Sequence, residues 1–422
     1  MRTWVLLVAA CRAASDSCRG KCGYWSDSCW CDASCTAHGN CCDDYSEWCG
    51  SSALELRLLT AHADARCLDG SPAGYYFRSA NSSRFLVYFE GGGWCYDQNC
   101  AHPTANGTIA DCTERSRGQL GSSSKWERLR WYNSGALSPF QRNNPTFFDF
   151  SLIYVPYCDG TSFSGRRNTT VSGLYFRGAD ILEALIFELK HTLHLPQASQ
   201  VVISGGSAGA STVLWHADRI VAGLGLTPGQ AVAIPDAGFF LDRTDVNGID
   251  CWPNQMRSLA AVSGARGHAR CLERYPPTEA WRCMFPEYFA DLISTRTLIV
   301  QSLYDSSEIQ YTLRLGCFPG DGPACSQQQM RVFQQMPSQH MRAWAPLVNR
   351  SGNGVWGIAC VAHTMTQHKW LNGSWAVPAG SGNTMAMAVR AWLDRKPVIW
   401  QDDVLWPHNI PCHTSPPYQQ IF

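Results

Sequence analysis

The run Val201-Val202-Ile203-Ser204-Gly205-Gly206-Ser207-Ala208-Gly209-Ala210 joins an apolar strand pattern to a G-x-S-x-G turn, and residues 211–220 then suit a helix. Glycines flank the serine because a tight strand-to-helix turn crowds any side chain there, and such a turn lifts the serine hydroxyl into a cleft. Ser207 is therefore the candidate nucleophile. The backbone N–H of Ala208 would face the oxyanion that forms when the serine oxygen adds to a carbonyl. The chemistry of such a serine is acyl transfer through a covalent acyl-enzyme.

A serine needs a general base, and the base needs an acid to orient it; on this kind of turn the chain order is Ser, then Asp or Glu, then His. The apolar run 298–303 ends in Tyr304-Asp305, which puts Asp305 just past the C-terminal end of a strand, on the sheet edge that carries the serine. The histidines after Ser207 are His216, His268, His340, His363, His368, His408 and His413. His216 falls on the helix that follows the serine, where it cannot turn back to reach it. His363 follows Gly357-Ile-Ala-Cys360-Val-Ala362, a short segment that a disulfide could anchor, but spacing leaves His340 and His368 open beside it. The second half of an oxyanion hole is expected at an earlier strand end, where residues 85–90 run into Gly91-Gly92-Gly93-Trp94-Cys95 and glycines free several backbone N–H groups. Gly352-x-Gly-x-x-Gly357 formally matches a dinucleotide loop, yet it follows no apolar strand and opens no helix, and no G-K-[ST] phosphate loop is present. Neither a metal nor a cofactor is called for.

The elements that must position these residues are strand-like runs at 85–89, 152–155, 201–203 and 298–300. Between two of them Ile181, Leu182, Leu185, Ile186, Leu189 and Leu193 recur at helical spacing, with Pro196 closing the helix. Apolar strands alternating with amphipathic helices indicate an α/β fold, a mostly parallel sheet flanked by helices. Lys plus Arg and Asp plus Glu both number 34, which provides no basic footprint for nucleic acid. The 16% charged residues exclude a disordered, solvating chain. No stretch is long and apolar enough for a membrane span.

Twenty-one cysteines argue for an oxidising compartment. Residues 1–14 (Arg2, an apolar run, then small residues) read as a signal peptide that would discard Cys11, and sequons at Asn81, Asn106, Asn168, Asn349 and Asn372 fit secretion. Eight cysteines then fall between Cys18 and Cys49, in a segment whose bulk comes from Tyr24, Trp25, Trp30, Tyr45 and Trp48. So short a chain needs staples, and four disulfides supply them, with the pairing open. A zinc site at Cys22, Cys29 and Cys31 is the rival reading, disfavoured by the export signal. The order Cys18-x3-Cys22-x6-Cys29-x-Cys31-x3-Cys35-x5-Cys41-Cys42-x6-Cys49, with Gly39-Asn40 before the adjacent pair and Asp43-Asp44-Tyr45 after it, resembles a somatomedin B domain. That resemblance implies a module at residues 17–50 that binds extracellular protein partners and catalyses nothing itself.

The remainder, taken as residues 54–422, resembles the pectin acetylesterase family, which includes the Notum carboxylesterases. The likeness is carried by Cys67-Leu-Asp-Gly-Ser-Pro-Ala-Gly-Tyr75, Glu90-Gly-Gly-Gly-Trp-Cys95, Leu120-Gly-Ser-Ser-Ser-Lys125, Tyr157-Cys-Asp-Gly-Thr-Ser-Phe163, Phe176-Arg-Gly178, Ser207-Ala-Gly209, Asp236-Ala-Gly-Phe-Phe240, Tyr304-Asp-Ser306 and Cys360-Val-Ala-His363, in family order. It implies an α/β-hydrolase-like fold, Ser207 as nucleophile, Asp305 as triad acid and His363 as base. The same resemblance gives the backbone N–H groups of Gly92, Gly93 and Ala208 as oxyanion donors. The function it implies is a secreted serine carboxylic-ester hydrolase that deacetylates a polysaccharide such as pectin. A Notum-like deacylase taking a lipid off a protein, or an inactive extracellular adhesion protein using the first module, are the alternatives. Ala210 departs from the family's usual glycine, while Tyr157-Cys-Asp-Gly160 and the Gly91–Gly93 triplet look closer to the plant branch than to Notum.

Overall fold

The computed structural model describes residues 17–402 and Cys412, apart from residues 20, 23, 27, 33, 34, 50, 51 and 319–323. The expected signal peptide at 1–14, Cys11 within it, and His408 and His413 lie outside these residues.

The N-terminal module is built on sulfur. Strands β1 (Trp25–Ser26) and β2 (Cys29–Trp30) pair antiparallel, and single-turn helices α1 (Cys35–His38) and α2 (Tyr45–Trp48) follow. Its buried centre is Cys18, Cys22, Cys31, Cys42 and Cys49, a cluster without a single aliphatic side chain. Disulfides Cys18–Cys31, Cys22–Cys49, Cys29–Cys42 and Cys35–Cys41 hold it, so Cys22, Cys29 and Cys31 of the rival zinc reading are each oxidised to a different cysteine. The module rests on the rest of the chain through Trp48, which packs against Phe140 with ring centres 6.2 Å apart and beneath Arg142. Asn133 Nδ2 also donates to the Cys22 carbonyl at 3.1 Å.

The larger part is one ten-stranded sheet. In chain order its strands are β3 (Leu54–Leu58), β4 (Gly74–Arg78), β5 (Arg84–Phe89), β6 (Leu129–Arg130), β7 (Ser151–Val155), β8 (Gln200–Gly206), β9 (Ala231–Asp236), β10 (Leu298–Asp305), β11 (Gly354–Ala362) and β12 (Ile399–Gln401). Across the sheet they run β12-β11-β10-β9-β8-β5-β7-β4-β3-β6. From β7 to β12 every pairing is parallel, whereas β4 pairs antiparallel with both β7 and β3, and β3 with β6. The expected α/β fold is therefore present, with an antiparallel flank added. Strands β7, β9, β10 and β11 are buried at every residue, as parallel strands covered on both faces must be.

The covering helices are α3 (Ala105–Arg115), α4 (Gly178–His191), α5 (Ala208–Leu224), α6 (Cys251–Ser263), α7 (Gln327–Val348) and α8 (Met385–Leu393). Helix α4 buries Ile181, Leu182, Leu185 and Leu189, the stripe its spacing predicts. It stops at His191, however, before the Pro196 expected to close it; His194 turns the chain through a left-handed conformation (φ 54°) and Pro196 sits in the first turn of a separate 3₁₀ segment, Leu195–Gln197. Six more disulfides brace this part and none crosses to the first module: Cys67–Cys158, Cys95–Cys112, Cys100–Cys251, Cys271–Cys283, Cys317–Cys325 and Cys360–Cys412. Among the described residues no helix is long and apolar enough to cross a membrane.

Candidate active site

Ser207 sits alone between β8 and α5 with φ 55° and ψ −124°, a backbone conformation that costs about 1–3 kcal/mol for a non-glycine residue. Its surroundings hold it there. A Cβ on Gly209 would collide with the Phe89 carbonyl, one on Gly206 would come 2.8 Å from Tyr88 Oη, and one on Gly91 would come 2.8 Å from Ser207 Cβ. The Ser207 N–H donates to the Asp236 carbonyl at 2.9 Å, tying the turn to the end of β9. The methyl of Ala210, the family departure, packs against Gly238, where a second Cβ would collide with it. Gly91→Ala is expected to push the β5 loop off the serine and lower kcat/KM for p-nitrophenyl acetate by about 100-fold, the size of effect an ångström of misplacement brings.

Strands β10 and β11 end side by side, Asp305 opposite Ala362, so the residue after β11 falls beside the carboxylate. His363 Nδ1 lies 2.8 Å from Asp305 Oδ2, and the ring keeps 21% of its exposure while Asp305 is fully buried. Asp305 Oδ1 accepts from the N–H groups of Ser307 (2.9 Å) and Glu308 (3.2 Å), and Oδ2 also takes Gln301 Nε2 at 3.2 Å. Burial draws the imidazole pKa down, but the charge and hydrogen bond of Asp305, then the charges of Asp236 and Glu308, more than reverse this, and His363 sits above the ordinary imidazole value. The other histidines have other duties. His340, on α7, lies 2.8 Å from Glu308 Oε2; His216 is buried in α5 and pushed down to about 3; His268 pairs with Asp218 at 3.8 Å. His368 is lowered by burial and the neighbouring Lys369. Among the described residues, Asp305 meets His363 and no other histidine.

The glycine loop after β5 approaches the serine from the other side. Gly92 and Gly93 have φ of 136° and 66°, which glycine adopts without strain. Among the described residues their N–H groups have no acceptor within the protein. The Gly92 carbonyl takes Arg115 Nη2 at 2.8 Å, Trp94 Nε1 donates to Ser162 Oγ at 2.8 Å, and that hydroxyl donates to the Ala208 carbonyl at 2.8 Å. This relay fixes the loop of Gly92 and Gly93 against Ala208. Ser162 lies in the run Tyr157–Phe163, but the sequence gives no sign of its role, because its place depends on left-handed turns at Ser162 and Phe163. Beneath them lies Asp159, which burial raises to about 6 and whose Oδ2 accepts from the Thr161 and Phe163 N–H groups.

Aromatic rings pack together beside His363 and the glycine loop. Trp94 stands 5.3 Å from Phe240 and 5.1 Å from Trp252; Phe240 lies 6.0 Å from Trp252 and 6.1 Å from the His363 ring, and Phe285 backs Trp252 at 6.1 Å.

Ser207 thus stands at a strained strand-to-helix turn, His363 on the Asp305 carboxylate, and Gly92 and Gly93 with amides free of acceptors among the described residues. The pectinacetylesterase family matches residues 50–413, and the somatomedin B domain matches residues 16–52. Pectin acetylesterase 5 of Arabidopsis thaliana is 31% identical over 380 residues, 85% of this chain and 84% of its own. The palmitoleoyl-protein carboxylesterase NOTUM of Homo sapiens is 28% identical over 392 residues, 86% of this chain and 73% of its own, and that of Schmidtea mediterranea is 27% identical over 331. The chain belongs to the pectin acetylesterase family of carboxylic-ester hydrolases and carries a somatomedin B domain in front of it.

Proposed function

We propose that this protein is a secreted serine esterase that removes acetyl groups from a polysaccharide such as pectin. Ser207 attacks the ester carbonyl while His363 Nε2 takes its proton; Asp305 fixes the tautomer through Nδ1 and stabilises the imidazolium. The N–H groups of Gly92, Gly93 and Ala208 receive the oxyanion, the sugar alcohol leaves with the proton from His363, and water repeats the sequence on the acetyl-serine. Ten disulfides among the described residues support export to an oxidising compartment. The somatomedin B domain is assigned to an extracellular protein partner.

The observation that carries the choice of acyl group is the packed wall of Trp94, Phe240, Trp252 and Phe285. These side chains are at most 8% exposed and lie against one another, so they leave no open apolar bed among themselves for a long acyl chain, which favours a small one. The relatives named for lipid removal and those named for pectin are nearly equally similar, so the acyl group has to be decided at the site. The test is a chain-length series. The kcat/KM for p-nitrophenyl acetate should exceed that for the octanoate by at least about tenfold, the scale on which an apolar pocket rejects surplus methylenes. A preference for octanoate would replace this reading by the lipid deacylase.

A further inference from the structure

We propose that Asp236 is a positioning residue for hydrolysis, acting with Thr366 to hold the His363 loop in register with Ser207. This rests on the proposed triad and deepens it. Asp236 is the last residue of β9, opposite Gly206 of β8 in the sheet. Its main chain and side chain grip two different parts of the site. The carbonyl accepts the Ser207 N–H at 2.9 Å, and carboxylate Oδ2 accepts both the Thr366 N–H at 2.7 Å and Thr366 Oγ1 at 2.6 Å. Thr366 lies three residues beyond His363, and between them Thr364 turns through φ 47° with its methyl carbon close over Gly206. One residue thus spans the nucleophile's turn and the base's loop.

The residue type is informative. Asp236 is fully buried, no Lys or Arg forms an ion pair with it among the described residues, and beyond Thr366 only the Met365 N–H faces its carboxylate. An unpaired buried carboxylate is costly. An asparagine oxygen could reach the same two donors, but a charged acceptor binds them roughly twice as strongly, so the carboxylate grips Thr366 more tightly than an amide would. What the charge also adds is a second anion facing His363. The charged groups facing that ring are Asp305 from β10, Asp236 from β9 and Glu308 from the turn after β10. Glu308 is already matched by His340 at 2.8 Å and Arg243 at 3.5 Å, so its field is largely spent. Facing Asp236 itself are His363, Thr366 and Tyr88, whose hydroxyl accepts Gln367 Nε2 at 2.9 Å. When the proton passes from Ser207 Oγ to His363 Nε2, Asp236 takes no proton; it stabilises the imidazolium at a distance and keeps the ring where the serine can reach it.

The experiment uses the full chain and p-nitrophenyl acetate, with kcat and KM measured across pH. Asp236→Asn should lower kcat about 10- to 100-fold, below the full worth of a general base, with KM changed by no more than about threefold. Its acid limb of kcat/KM should move to lower pH by roughly half a unit or more, because an anion facing the imidazole has gone. Thr366→Val should lower kcat several-fold without that downward move, and Thr366→Ser should restore it. A wild-type kcat and acid limb in Asp236→Asn would overturn the proposal. Should Asp236→Asn not fold, equal kcat in Thr366→Val and Thr366→Ser would overturn it instead. Ser207→Ala in the same assay separates the two readings: if it still turns over, the triad fails, whereas a silent Ser207→Ala beside an unaffected Asp236→Asn sinks this inference alone.

Discussion

Ser207→Ala should remove essentially all ester hydrolysis, with kcat for p-nitrophenyl acetate falling by about 10⁴- to 10⁶-fold. The expected loss is large because no other hydroxyl on the turn can replace this one: Ser204 donates to the Ile234 carbonyl and Ser211 to the Gly238 carbonyl. The change keeps Cβ, so the contact with Gly91 and the N–H bond to Asp236 survive, and the variant should fold and bind substrate as before. What remains over the background rate is the polarising effect of the unengaged amides. Thermal melting alongside the assay distinguishes lost chemistry from lost structure. Unchanged turnover would remove Ser207 from the mechanism, and an inactive wild type would favour the adhesion-protein alternative.

Asp305→Asn is expected to be nearly as damaging, about 10⁴-fold in kcat, for a different reason. Asparagine can keep its oxygen at the Oδ1 position, where the Ser307 and Glu308 N–H groups need an acceptor. Its amide nitrogen then occupies the Oδ2 position, facing His363 Nδ1 and the Gln301 amide, both of which donate there in the native site. The imidazole responds by moving its proton to Nε2, which can then no longer accept one from Ser207. Loss of the Asp305 charge also removes a leading cause of the raised His363 pKa. The sign follows directly: native kcat/KM rises with pH as an imidazole titrating above the ordinary 6.5 loses its proton, and in the variant that limb moves down in pH. A pH–rate profile reads both effects, and a variant with native kcat would exclude Asp305 as the orienting acid.

The parts of this architecture that were legible in the sequence are those with strong local causes. The apolar runs at 85–89, 152–155, 201–203 and 298–300 became β5, β7, β8 and β10, because a strand covered on both faces has to be apolar throughout. The glycines around Ser207 were legible because their backbone neighbours leave no room for a side chain. Relations between distant residues were not legible. Spacing alone left His340 and His368 beside His363; the pairing of β10 with β11 is what brings His363 to Asp305, while Glu308 claims His340. Strands β3 and β6 are short and partly exposed, without a continuous apolar run, so the antiparallel flank left little trace. Asp236 opens the run Asp236-Ala-Gly-Phe-Phe240, yet only the fold shows that its two polar ends face two different loops.

The contact of Trp48 with Phe140 bears on how freely the two parts of this chain can be recombined in evolution. A disulfide-held module with no aliphatic interior is self-sufficient in its covalent bonds, which makes it look like a portable bead. Here the bead has lent one of its few large side chains to a neighbour. A descendant that lost residues 17–50 would inherit Phe140 without the ring that packs on it, and a fusion that gained only those residues would keep Arg19 over Trp48 but lose Phe140 and Arg142. Each half therefore constrains what the other can become, and the seam between them should drift as a pair rather than as two independent surfaces.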